Sequence, residues 1–190
     1  MSEIRTRFAT FVLIAQICGA ALLAAPTASA QALTPGSFKA YAADATEARV
    51  SNFSGLPVPR YSSLRFDKVN GRAGPSRDYP VEWTYERAGL PVVIVRESED
   101  WRKIRDPMGD EVWVSKNQLA GERTVMTTDT GAIRRSPQSS GAMVARYAPG
   151  AVLALGDCAG AWCRVEAEGR KGWALKSELW GAEALPAAHR

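Results

Sequence analysis

Trp162 to Gly181, WCRVEAEGRKGWALKSELWG, repeats a stretch already present in this chain, WRKIRDPMGDEVWVSKNQLAG at Trp101 to Gly121. The frame Trp113-x-x-Lys116-x-x-Leu119-x-Gly121 returns as Trp173-x-x-Lys176-x-x-Leu179-x-Gly181, at an offset of 60. Upstream, Trp101 answers to Trp162 at an offset of 61, so the later copy is one residue shorter between its tryptophans. That gap falls in a polar turn, where a change of length is cheapest. A match at such a period means that one structural unit has been used twice.

Outward from this frame, the segments from Tyr61 onward are short, β-branched and punctuated every 8 to 12 residues. This is the pattern of a small all-β barrel or sandwich. In the first unit it predicts strands near Tyr61–Arg65, Asn70–Arg72, Pro91–Glu97, Trp101–Arg105 and Glu111–Val114. Val92 to Val95 is continuously apolar, as a strand in a crowded centre would be. Asp106-Pro107-Met108-Gly109-Asp110 has the composition of a turn. Lys116 to Leu119 reads as one 3₁₀ turn that returns a leucine to the core. In the second unit, Ala151–Leu155 answers the apolar strand and Trp162–Val165 answers Trp101–Ile104. Glu166–Gly169 is the expected hairpin turn and Gly172–Leu175 the last long strand. A connection of a few residues near Gly121–Thr130 joins the units. Each spans about 60 residues, near the lower limit for a self-sufficient core.

The N-terminus reads differently. Arg5 and Arg7 precede an apolar run from Phe8 to Ala25, Pro26 ends it, and Ala28-Ser29-Ala30 follows. This is the layout of a secretory signal peptide cleaved after Ala30, and it predicts export to a bacterial periplasm. Residues 31–55 carry Ala, Thr, Ser, Pro and Gly without a sustained period and read as a flexible linker. The expected organisation is a signal peptide at 1–30, a linker at 31–55, barrels at 56–122 and 123–182, and a tail at 183–190.

Loss of residues 1–30 takes the basic and acidic counts from 24 and 20 to 22 and 19. No basic run exceeds two residues, so the stripe that nucleic acid would require is absent from the sequence. Two cysteines then remain, Cys158 and Cys163, with four residues between them. An even count suits an oxidising compartment, and the pair reads either as a disulfide across one hairpin or as two free thiols. A metal would need further ligands, yet the single histidine is His189, beside the C-terminus. No metal or cofactor is expected. Catalysis needs a base, a nucleophile or a metal in a pocket, and with none of these in the sequence the expectation is a protein that is not an enzyme.

Val69-Asn70-Gly71-Arg72-Ala73-Gly74-Pro75-Ser76 resembles the "V-N-x-R-x-G-P" opening of the bacterial SH3-like (SH3b) family. The closing strands Glu111-Val112-Trp113-Val114 and Lys171-Gly172-Trp173-Ala174 resemble the same family, and so does Gly160-Ala161-Trp162-Cys163-Arg164-Val165. The likeness is to the form found as tandem pairs in exported proteobacterial proteins, and it covers about residues 56–182. It implies two consecutive SH3-like barrels. Three departures stand out: Gly71 replaces a branched apolar residue, Val112 replaces a glycine, and the second copy lacks the Asn and Gly of the opening.

Trp101, Trp113, Trp162 and Trp173 recur at matched positions, as core and edge anchors of a barrel would, with Trp113 and Trp173 expected to be the more buried. Tyr79, Trp83 and Tyr85 lie in RDYPVEWTYERAG, read as a long variable loop. The resemblance places that loop beside a peptide groove, which makes Tyr79, Trp83, Tyr85 and Trp101 the candidate ligand-binding residues. The charges at Glu97, Glu99, Asp100, Arg102, Lys103 and Arg105 read as a hydrated turn worth little per pair. The function expected is a non-catalytic envelope module for peptidoglycan or a peptide. The alternative is an adaptor docking another periplasmic protein through a sheet edge or the face between barrels, with an apolar patch at Trp180 and Leu185.

Overall fold

The computed structural model describes residues 48–185. The segment read as a signal peptide, most of that read as a linker, and His189 lie outside the described residues. Among the described residues the chain forms sixteen strands, and helical structure only as 3₁₀ turns.

A short hook comes first: β1 (Arg49–Val50) pairs antiparallel with β2 (Pro57–Val58). Arg49 and Val50 were expected in the linker, and Pro57 and Val58 in the first barrel. Ser51 explains their order, since its hydroxyl donates to the Glu97 carboxylate and ties the hook to the first barrel.

The first barrel contains β3 (Arg60–Leu64), β4 (Val69–Arg72), β5 (Val81–Tyr85), β6 (Pro91–Ser98), β7 (Trp101–Arg105), β8 (Glu111–Ser115) and β9 (Leu119–Ala120). They form one antiparallel sheet in the order β5-β4-β8-β7-β6-β3-β9. The second barrel repeats them as β10 (Thr124–Thr127), β11 (Gly131–Arg134), β12 (Met143–Tyr147), β13 (Val152–Ala159), β14 (Trp162–Ala167), β15 (Arg170–Leu175) and β16 (Leu179–Trp180). Its order, β12-β11-β15-β14-β13-β10-β16, is the same topology. Bulges recur at matched places, between Gly71 and Arg72 and between Ile133 and Arg134.

Each sheet curls around its own core. Leu64, Val69, Val92, Ile94, Ile104, Val112 and Val114 fill the first, while Val125, Ile133, Leu153, Val165, Ala174 and Leu179 fill the second. The 3₁₀ turns at Lys116–Gln118 and Lys176–Glu178 each deliver a buried leucine, Leu119 and Leu179. Glu168 and Gly169, with φ of 50° and 75°, make the two-residue turn between β14 and β15. Positive φ at both positions matches the twist of the flanking strands.

Two expectations are corrected. RDYPVEWTYERAG is not all loop, because Val81–Tyr85 pairs with β4 as β5. The connection between barrels is shorter than expected, since Thr124 already pairs in β10. The barrels pack directly: Tyr61 meets Trp180 edge-to-face at 5.9 Å, and Arg123 lies over the Tyr61 ring at 5.0 Å. Thr124 Oγ1 donates to the Gly89 carbonyl, and Arg87 donates to that of Gly150. Trp180 is therefore buried, and the patch expected around it is covered by Tyr61.

Candidate functional site

The matched arginines Arg72 and Arg134 reach along the loops that follow them. Arg72 Nη1 donates to the carbonyls of Arg77 and Tyr79, and Arg134 Nη1 to that of Gly141. Each strand-borne guanidinium thus fixes the path of a loop whose backbone has few ladder partners of its own.

The four sequence candidates have different fates. Tyr79 is exposed, and its ring lies so close over Gly74 that no Cβ would fit there. Trp83 is half-buried and meets Tyr85 edge-to-face at 6.2 Å. Tyr85 is in the core, with its hydroxyl donating to Asp106 Oδ2. Burial and the adjacent Asp106 carboxylate push its hydroxyl pKa well up, so it stays a neutral donor. Its ring is a core element and not part of an open groove. Trp101 is half-buried at the start of β7. Along the sheet β4 and β8 stand between the strands of Trp101 and Trp83. Trp83 and Tyr85 are brought together at the first core.

The charge cluster is not a hydrated turn throughout. The Glu97 side chain is only 1% exposed, pairs with Arg60 and with Arg102 Nε at 2.9 Å, and accepts the Ser51 hydroxyl. Burial alone would raise its pKa, but Ser51, Ser54 and Arg60 outweigh that and hold it below the usual carboxylate range. Glu99 and Asp100 do lie in water, with Asp100 paired to Lys116 on the surface.

Cys158 and Cys163 form a disulfide across the β13–β14 hairpin. Their register partnership corresponds to that of Glu97 and Arg102 across β6–β7. One hairpin position is therefore held by a buried ion pair in one barrel and by a covalent bond in the other. Trp113 is buried as expected, while Trp173 is half-buried, with the Arg164 guanidinium over its ring at 5.4 Å.

Sequence reasoning missed a groove of about 330 Å³ in the second barrel, lined by Arg134, Met143, Arg146, Trp162, Leu175 and Glu178. Gly131 forms part of its floor, where a side chain would collide with the Tyr147–Glu178 pair. Tyr147 donates its hydroxyl to Glu178 Oε2. Burial, then the Glu178 carboxylate, push the Tyr147 pKa well up. Trp162 was legible as a repeat element, but the arginines gather only when β11, β12 and β14 meet. Among the described residues no group of three or more His, Cys, Asp or Glu is placed to hold a metal ion. The arrangement offers aromatic and aliphatic contact with charge-assisted hydrogen bonds.

No curated protein matches the chain. Among solved structures it is similar to NlpC2 from Trichomonas vaginalis, at 15% identity and a TM-score of 0.30, over 64% of this chain and 48% of that one. It is also similar to NlpC1 from the same organism, at 16% identity and a TM-score of 0.30, over 77% and 51% respectively. The chain spans about half the length of both. The model of the bacterial SH3 domain matches residues 66–121 and again 127–181, more than half of the chain. With the repeated topology, this identifies the chain as a member of the bacterial SH3 domain family that carries the domain twice.

Proposed function

We propose that this protein is a non-catalytic binding module of the bacterial envelope that holds a peptide or peptidoglycan fragment in a surface groove. Residues 1–30 act as a cleaved signal peptide and deliver it to the periplasm. The observation that carries the reading is the groove of the second barrel, where the half-buried Trp162 stands beside Met143, Leu175 and two arginines. Apolar walls with a few convergent polar groups are the usual make-up of a ligand site. Tyr79 and Trp83 are the aromatic candidates on the first barrel, with Trp101 at the position that matches Trp162.

A second reading, an adaptor that docks a protein through a sheet edge, is favoured by β5 and β12. These strands end their sheets, and the exposed Val81 and Met143 occupy equivalent positions on them. An unpaired strand edge is a template for a partner strand.

The two readings separate in a sedimentation assay with insoluble peptidoglycan. Retention of the parent, with loss in Trp162→Ala and persistence in Trp83→Ala, supports wall binding through the second barrel. Loss in Trp83→Ala alone moves the site to the first barrel. No retention of the parent overturns wall binding and leaves the adaptor reading.

A further inference from the structure

We infer that the groove of the second barrel is built for the carboxylate end of a short peptide. This rests on the binding-module reading above and names the chemistry of its ligand.

The argument comes from comparing the barrels position by position. The β4–β5 ladder pairs Val69 with Tyr85, Asn70 with Thr84 and Arg72 with Val81. The β11–β12 ladder pairs Gly131 with Tyr147, Ala132 with Arg146 and Arg134 with Met143. Val69 is fully buried, whereas at the matched Gly131 the Tyr147 ring and Glu178 occupy the space a side chain would need. In that space the Tyr147 hydroxyl reaches Glu178, whereas the Tyr85 hydroxyl turns to Asp106. Thr84 is replaced by Arg146, so the second copy adds a cation beside Arg134, whose own counterpart is Arg72. The registers Trp101–Ser115 and Trp162–Leu175 show one further exchange of a polar for an apolar lining residue.

Charge sets the ligand class. Arg146 is exposed, and its guanidinium makes no ion pair among the described residues. Arg134 engages the Gly141 carbonyl through Nη1 and keeps its place on the groove wall. The one carboxylate of the lining, Glu178, already accepts the Tyr147 hydroxyl. Arginine forks match carboxylates geometrically as well as electrostatically. Size sets the length: about 330 Å³ lies at the low end of the range for ligand pockets, which fits a chain end of a few residues better than a polymer run. Trp162, Met143 and Leu175 then cover the apolar side chains next to that end.

The test is isothermal titration of the full chain with tri-alanine and with its C-terminal amide. The expected result is binding of the acid and at least about tenfold weaker binding of the amide, as for loss of one charge-assisted hydrogen bond. Arg146→Gln abolishes that difference, while Thr84→Gln, its counterpart in the first barrel, leaves it intact. Equal binding of acid and amide overturns the carboxylate assignment and leaves a peptide-binding groove. Binding of neither overturns the inference as a whole. Retention on insoluble peptidoglycan in that case would leave the wall-binding reading standing.

Discussion

Gly71 of β4 and Val112 of β8 are packed so closely that a Cβ on Gly71 would lie 2.6 Å from Val112 Cγ2. The second barrel inverts the pair: Ile133 stands for Gly71 and Gly172 for Val112, and a Cβ on Gly172 would lie 2.6 Å from Ile133 Cγ2. Two departures from the family pattern are thus a single compensated exchange, with one branched side chain shared between two strands in either direction. Gly71→Ile is expected to cost about 1–3 kcal/mol by overpacking. The double change Gly71→Ile with Val112→Gly recovers most of that loss. Urea denaturation of Gly71→Ile alone, Val112→Gly alone and the double variant against the parent checks it, and simple additivity of the single effects would refute it.

The Glu97 cluster makes stability depend on acid. Removing one partner of a buried ion pair costs about 3–5 kcal/mol, so Glu97→Ala is expected to lower stability by that order and leave Arg102 buried without its carboxylate. The hook should loosen with it, read as faster amide exchange at Gly55, whose N–H bonds the Ser51 carbonyl.

The sign of the pH effect follows from the folded-state pKa. Glu97 and Glu111 are both held below their usual range. Each contributes stability that is fully present above the unfolded-state pKa and is lost as pH falls through the folded one. Denaturation midpoints should therefore drop as pH falls below the ordinary carboxylate range. In Glu97→Gln that drop becomes shallower.

Reducing the disulfide removes a short closed loop, worth about 2 kcal/mol on the chain-entropy model. Because Ala159 and Trp162 are the next register pair beyond Cys158 and Cys163, reduction also frees the hairpin end that carries a groove wall. The double variant Cys158→Ala, Cys163→Ala is expected to lose about 2 kcal/mol in denaturation. Its ligand retention should fall further than that of a surface control.

Trp180 couples the barrels. Trp180→Ala is expected to cost about 3–5 kcal/mol and to split one calorimetric transition into two as Tyr61 loses its ring partner. A single shifted transition would mean that the backbone and polar contacts at Gly89, Thr124 and Gly150 couple the barrels without it.

Periodicity and turn chemistry are local, and they were legible. The repeat at Trp101–Gly121 and Trp162–Gly181 declared two copies, and short β-branched segments placed seven of the sixteen strands within two residues, while β5, β10, β11 and β12 were not read as strands. The cysteine spacing admitted the disulfide that is found. What the sequence could not decide is which side chains meet across strands far apart in the chain. Val81–Tyr85 reads as loop because its alternation is weak at a sheet end, where only β4 supplies a partner. Glu97 reads as solvated because its burial depends on Arg60, 37 residues away, and on Ser51, 46 residues away. The groove depends on Gly131 being small opposite Tyr147 and Glu178, a condition of three-dimensional packing that leaves no local signal. Local pattern determined that there are two barrels. Only long-range packing decided how their surfaces and cores differ, because close approach and desolvation depend on neighbours that the chain brings together late in its course.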